Sequence, residues 1–216
     1  MTEHDPHNVA DRASSGAEST TNRKRRDLAV AVVACVCIVY SIALVARTVA
    51  TYLPTDRIST DRNEPPAPSL EVTEWAQLPE GHDSLDVDDY RGKVLYIFCF
   101  QSQCPACHSH GFPILKELST HYETDPDVAF MAIQTTFENF EHNSFENAQK
   151  DMVTFELPNM PIGHSSVQGQ RSPVMVNYGT GATPWVIMLD KRGRVAYNHF
   201  PLAVDKAIEL IELLKQ

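Results

Sequence analysis

One segment, Val94–Pro113, constrains the fold of this chain more than any other: VLYIFCFQSQCPACHSHGFP. Val94–Phe100 is an unbroken run of β-branched, aromatic and aliphatic side chains and reads as a buried strand. It stops at Gln101-Ser102-Gln103. Cys104-Pro105-Ala106-Cys107 follows, at the head of a segment in which Phe112, Leu115 and Leu118 recur at helical spacing. A strand that delivers two cysteines to the start of a helix has chemical consequences. The first N–H groups of a helix have no partner within it, and its dipole is positive at that end, so a thiolate is stabilised there. Cys104 stands at that position, and its pKa is expected below the ~8.5 of a free thiol. Pro105 suits the first turn, where its missing N–H costs nothing. Cys107, three residues on, lies on the same face within disulfide reach. Cys104 is therefore the expected nucleophile and Cys107 the resolving thiol. A disulfide across so short a loop closes little chain and stabilises little, which favours a reactive pair over a structural one.

The rest of the chain divides by composition. Residues 1–27 are polar, with almost no large apolar side chains, and are read as a disordered tail that ends in Arg23-Lys24-Arg25-Arg26. Residues 28–46, LAVAVVACVCIVYSIALVA, carry no charge. At ~1.5 Å per residue a helix of that length nearly spans a ~30 Å hydrocarbon core. The basic cluster before it puts the N-terminus in the cytoplasm and the remainder outside. A cleaved signal peptide is the competing reading, but the polar lead is long and the apolar run exceeds a usual signal core. Cys35 and Cys37 read as small apolar side chains of that helix. Residues 47–69, with Pro54, Pro65, Pro66 and Pro68 and no apolar period, read as a flexible linker. Acidic and basic residues balance over 1–70, so the net charge of −10 falls on the remainder, 70–216, the expected folded domain. An acidic domain argues against nucleic acid and against docking on anionic lipid.

Within that domain, Asp88–Gly92 reads as a turn leading into the motif strand. Gly111 and Pro113 interrupt the helix after the cysteines and predict a kink or break. Val128–Gln134 is the next strand, far enough on for a right-handed crossover. A helix is expected at about 141–156 and an irregular stretch over 157–172. A short helix opens at Ser172 or Pro173 and ends at Gly179. Trp185–Leu189 and Arg194–Asn198 form a hairpin across Asp190–Gly193. The apolar positions 203, 207, 208, 210, 211 and 214 mark an amphipathic C-terminal helix.

The cysteine motif, the order of elements and a second motif, Gly181-Ala182-Thr183-Pro184-Trp185-Val186-Ile187, about eighty residues later, together resemble the thioredoxin superfamily. The resemblance covers roughly residues 70–216 and is closest to membrane-anchored, TlpA-like thiol–disulfide oxidoreductases of bacteria. It implies an α/β fold with a central mixed sheet flanked by helices, here preceded by one transmembrane helix. It implies a cis proline at Pro184 packed against the cysteines, with Thr183 and Pro184 presenting backbone to an extended substrate. The implied partners are protein thiols or disulfides and a membrane or soluble redox partner. The implied location is the inner membrane, with the domain periplasmic or otherwise extracytoplasmic. The expected cofactor is none beyond the Cys104–Cys107 disulfide. The chain departs from the family pattern at three places. Gln103 stands where many members have Trp. Pro113 comes nine rather than eight residues after Cys104. His110 occupies a position where several TlpA-like reductases are acidic.

Other chemistries share these residues. Cys104–His108 is, letter for letter, a haem c attachment motif, in which both thiols bond to the porphyrin and His108 ligates iron. Another histidine, or Met131, Met152, Met160 or Met175, could supply a sixth ligand. Against haem stand the strand that leads into the motif, the Thr183-Pro184 motif and the α/β order. A zinc site would recruit Cys99, Cys104, Cys107 and His108, but Cys99 sits inside an apolar strand and no second knuckle follows; no metal is expected. A peroxiredoxin-like peroxidase would need Thr three residues before the nucleophile, where this chain has Gln101. His108 is either a polar surface residue or an imidazole that favours the thiolate. His164 and Glu138 are further residues that could move protons.

Overall fold

The computed structural model describes residues 65–216. The expected tail at 1–27, the membrane helix at 28–46 and the linker up to residue 64 lie outside the described residues. Among the described residues no helix is long and apolar enough to cross a membrane. The last residues of the expected linker are packed rather than free. Ala67 N–H donates to the Gly193 carbonyl at 2.9 Å, the Tyr178 hydroxyl donates to the Pro68 carbonyl, and Ser69 Oγ donates to Asp86. The folded body therefore reaches back to Ala67, because Ala67 and the fully buried Leu70 complete one side of the core.

Among the described residues there are six strands, β1 (Glu74–Ala76), β2 (Val94–Phe100), β3 (Val128–Thr135), β4 (Ile162–Ser165), β5 (Trp185–Leu189) and β6 (Val195–His199). Their order across the sheet is β1-β4-β3-β2-β5-β6. β2, β3 and β4 run parallel, while β1, β5 and β6 pair antiparallel with their neighbours. β2 is central and every one of its residues is buried. Its period of two explains why it reads as an unbroken apolar run. Val94, Tyr96, Phe98 and Phe100 enter one core. Leu95, Ile97 and Cys99 enter the core on the opposite face. Neither face meets water, so no polar alternation survives in the sequence.

Among the described residues four α-helices cover the sheet: α1 (Phe112–His121), α2 (Phe145–Thr154), α3 (Pro173–Tyr178) and α4 (Val204–Leu214). Leu115 and Leu118 of α1, Ala148 and Met152 of α2, and Ala207, Leu210 and Ile211 of α4 close the core on the Phe98 face. α3 and the segment from Ala67 to Val87 close the other. Ser172 caps α3 by accepting from Met175 N–H, and Gly179 ends it in the left-handed region at φ 63°. α2 runs over Phe145–Thr154, shorter than the expected span, because Ser144 caps it by accepting from Asn147 N–H.

Two short strands were not expected. Ile162–Ser165, inside the stretch read as irregular, is β4, a fully buried strand paired with β3 on one side and β1 on the other. It holds one large apolar residue, and Gly163 is there for space. A Cβ on Gly163 would come within 2.8 Å of Val72 Cγ1 and 3.1 Å of the Trp75 ring. A strand selected for closeness and polar pairing leaves no apolar signature.

Candidate active site

The end of β2 and the interrupted helix after it create the site. Cys104 stands at the boundary of the helical segment, where its carbonyl accepts from Cys107 N–H at 3.0 Å and from His108 N–H at 3.3 Å. The expected break is a turn of π-helix at Cys107–Gly111, closed by Phe112 N–H donating to the Cys107 carbonyl. A π-turn holds one residue more than an α-turn. That extra residue accounts for Pro113 lying nine positions after Cys104. Gly111 sits at the crossing with the loop before β5: a Cβ there would meet the Phe98 ring at 2.6 Å and Pro184 Cβ at 3.1 Å. The Thr183–Pro184 peptide bond is cis. The helix and the proline loop touch across a glycine, and that contact brings Thr183 onto the cysteines.

Both thiols are free. Cys104 is half-buried, and its Sγ accepts from Cys107 N–H at 3.2 Å and donates to the Thr183 carbonyl at 3.5 Å. Cys107 is fully buried and belongs to the core that holds Phe98, Phe100 and Phe112. Burial pushes its thiol well above the ordinary range, and the neighbouring Cys104 sulfur adds to this; the Gln101 backbone and the Thr183 side chain pull the other way. The two sulfurs therefore differ in kind, one reachable and held by a backbone donor, the other enclosed and protonated. Covalent haem does not fit this arrangement, since Cys107 has no exposed surface from which to meet a porphyrin edge. Cys99, the third described thiol, lies in the opposite core, and burial raises its pKa to about 12.

The His108 ring turns toward α2. It lies edge-on to Phe112 and Phe155, with centroids 5.8 and 5.5 Å away, and its Nε2 is 3.6 Å from Asp151 Oδ1. His110 pairs with the Ser109 hydroxyl on the exposed side. Glu138 is exposed and takes part through its carbonyl, which accepts from Asn143 Nδ2. His164 is buried in β4, where burial holds its imidazole below the usual range, and its ring lies 5.8 Å from that of Phe145.

A polar clasp beneath the cysteine turn escaped the sequence reading. Gln101 is 2% exposed, and its Oε1 accepts from Asn143 Nδ2 at 3.0 Å and from Phe137 N–H at 3.4 Å. Asn143, fully buried, returns its Oδ1 to Gln103 N–H at 3.3 Å. Gln101 is thus committed to fastening the 136–144 loop. Ser102 Oγ stands between the Gln134 amide, 2.6 Å away, and the Asp151 carboxyl. One signal could have found Asp151: it falls on the buried face of α2 with Ala148 and Met152, where an acid is out of place.

The arrangement can hold one sulfur as a nucleophile and keep a second as its successor. The pattern of the Redoxin family matches residues 62–201. Comparison with curated proteins finds no match. The fold is similar to that of a crystallised thioredoxin-like superfamily protein, with 26% identity, TM-score 0.63, and 69% of this chain and 96% of that chain covered. It is similar to a thiol-disulfide isomerase from Corynebacterium glutamicum, with 28% identity, TM-score 0.60, and 71% and 98% covered. A thioredoxin-family thiol:disulfide interchange protein from Chlorobium tepidum shares the fold at 15% identity and TM-score 0.55, with 73% and 100% covered. With more than half its length matched, this chain belongs to the Redoxin family, as a thioredoxin-like oxidoreductase.

Proposed function

We propose that the protein is a membrane-anchored thiol–disulfide oxidoreductase that exchanges dithiol for disulfide with protein substrates outside the cytoplasm. One observation carries the reading. Cys104 Sγ is half-exposed and accepts a backbone N–H, while Cys107, its successor, is buried directly beneath it. Cys104 thiolate attacks a substrate disulfide, forming a mixed disulfide and expelling one substrate sulfur as thiolate. Cys107, once deprotonated, attacks Cys104 Sγ, forming the Cys104–Cys107 bond and expelling the second substrate sulfur. Run in reverse, the same steps oxidise a substrate dithiol. Thr183, whose carbonyl already meets Cys104, would offer its backbone to an extended substrate beside Pro184. The similarity to the Corynebacterium glutamicum thiol-disulfide isomerase, at 28% identity, supports thiols and disulfides as the substrate class. For the anchor, the support is the uncharged run at 28–46 behind Arg23-Lys24-Arg25-Arg26.

The test is a trapping experiment. Cys107→Ser should accumulate mixed disulfides between Cys104 and protein substrates, visible as thiol-sensitive bands on a non-reducing gel. Cys104→Ser should form none. Equal trapping by both variants, or by neither, would contradict the assignment of nucleophile and successor.

A further inference from the structure

Resting on that reading, we infer that Asn198 is a positioning residue of the exchange: its side-chain amide ties together the two ends of the loop between α3 and β5, and so holds the Thr183 backbone where a substrate chain meets Cys104.

The need arises from the loop itself. It leaves α3 after Tyr178 and enters β5 at Trp185. Its first residues are pinned through the backbone: Gly179 N–H donates to the Val176 carbonyl at 3.4 Å, and Thr180 N–H to the Met175 carbonyl at 3.1 Å. Gly181, Ala182 and Thr183 make no backbone–backbone hydrogen bond with the rest of the fold. An extended peptide that binds as an added strand takes its affinity from main-chain hydrogen bonds. The groups it would pair with are therefore left open, and the loop cannot use them to hold its own shape. Side chains must fix it instead.

Asn198 does so at both ends. It lies on β6 opposite Ile187, so neither Tyr178 nor Trp185 is its partner in the sheet. Its Nδ2 donates to the Tyr178 carbonyl at 2.7 Å, and its Oδ1 accepts from the Trp185 indole N–H at 2.7 Å. The partners dictate which way the amide faces, because an indole N–H only donates and a carbonyl only accepts. Tyr178 is the last residue of α3 and Trp185 the first of β5. One amide thus staples the base of the loop.

The Trp185 ring carries that constraint into the loop. It reaches back under Gly181, with Cζ3 4.0 Å from where a Cβ on that residue would stand. The rings of His199 and Phe200 lie against it, each with its centroid 5.0 Å away. An indole anchored at its nitrogen and flanked by two rings forms a fixed floor. Arg171 adds a further tie, its guanidinium donating to the Thr180 carbonyl. From Trp185 the chain passes through Pro184 to Thr183, whose carbonyl accepts from Cys104 Sγ at 3.5 Å. Asn198 touches neither the thiol nor the substrate path. Its effect is exerted through Trp185 and the loop, so it should govern reactions that use the Thr183 backbone and spare those that need only the sulfur.

Two disulfides separate these cases. One is a short peptide closed by a single disulfide and carrying a fluorophore and quencher that part on reduction. The other is a small aryl disulfide that releases a coloured thiolate and is too short to lie along the loop. The protein is the reduced full chain with Cys35 and Cys37 replaced by Ser, so that only the motif reports. Asn198→Ala should lower the rate constant for the peptide about tenfold, the scale of one well-made hydrogen bond, and leave that for the aryl disulfide within about threefold. Trp185→Phe keeps a ring and removes the indole N–H; it should lower the peptide rate selectively as well. The double variant should be no slower than Asn198→Ala alone, because both changes break one bridge. Equal slowing toward both disulfides would mean a general defect of the fold and would overturn the inference. An unchanged peptide rate in folded Asn198→Ala, or additive losses in the double variant, would overturn it too. A parent protein that reacts with neither disulfide would instead overturn the oxidoreductase reading, a distinguishable failure.

Discussion

At the residue scale, the site depends on a contact that only glycine permits. Gly111 lets the helix, the Phe98 ring and Pro184 meet, and it does so without a left-handed backbone; the requirement is space alone. Gly111→Ala inserts a methyl where the aromatic ring and the proline stand too close to yield freely. Overpacking of this kind costs about 1–3 kcal/mol. Thermal unfolding of Gly111→Ala should show that loss. Its Cys104 alkylation rate should change as well, because the displaced loop carries Thr183. Unchanged stability and unchanged alkylation would mean that the contact does not position the loop. The two cysteines were legible in the sequence because a strand and a helix start bracket them. Asp151 was not, because its partner is brought to it by tertiary packing alone: forty-odd residues separate it from His108, and no spacing rule connects α2 to the cysteine turn.

At the scale of elements, legibility followed the strength of periodic burial. β2, β3, β5, β6 and α4 announced themselves because one or both faces are filled by large apolar side chains. The π-turn was legible as an interruption, through Gly111 and Pro113, though not as a turn type. β1 and β4 were hidden because each is short and holds a single large apolar residue, half-buried Trp75 in β1 and buried Ile162 in β4, which is too few to show a period of two. β4 nevertheless has a testable signature in His164. Burial lowers its imidazole below the unfolded value near 6.5, while Glu74 opposes this in part. A depressed histidine contributes stability above the unfolded pKa, where both states are neutral. That contribution is lost as pH falls, because the unfolded chain takes up the proton first. The melting temperature should therefore drop between pH 7.5 and 5.5, and His164→Gln should flatten that part of the curve. A variant curve parallel to the parent's would contradict the buried, neutral assignment.

At the scale of the whole molecule, the chain combines a two-faced mixed sheet with an acidic surface and an N-terminal third of different composition. The sheet supplies rigidity where it matters. β2 is held by β3 on one side and β5 on the other, so the strand that carries the cysteines and the strand that follows Pro184 are direct neighbours in register, Cys99 opposite Trp185. The two motifs are about eighty residues apart in sequence and adjacent in space for that reason. Their chemistry reduces to one claim, that Cys104 and Cys107 interconvert reversibly between dithiol and disulfide. The most direct test is a redox titration of the purified protein in glutathione buffers, followed by thiol alkylation and mass. The account predicts a single reversible two-electron transition confined to these two residues, with ~30 mV for each tenfold change in the ratio. It should lie within the about −270 to −120 mV span of dithiol oxidoreductases. Cysteines that remain alkylatable, or remain blocked, across the whole range would contradict it.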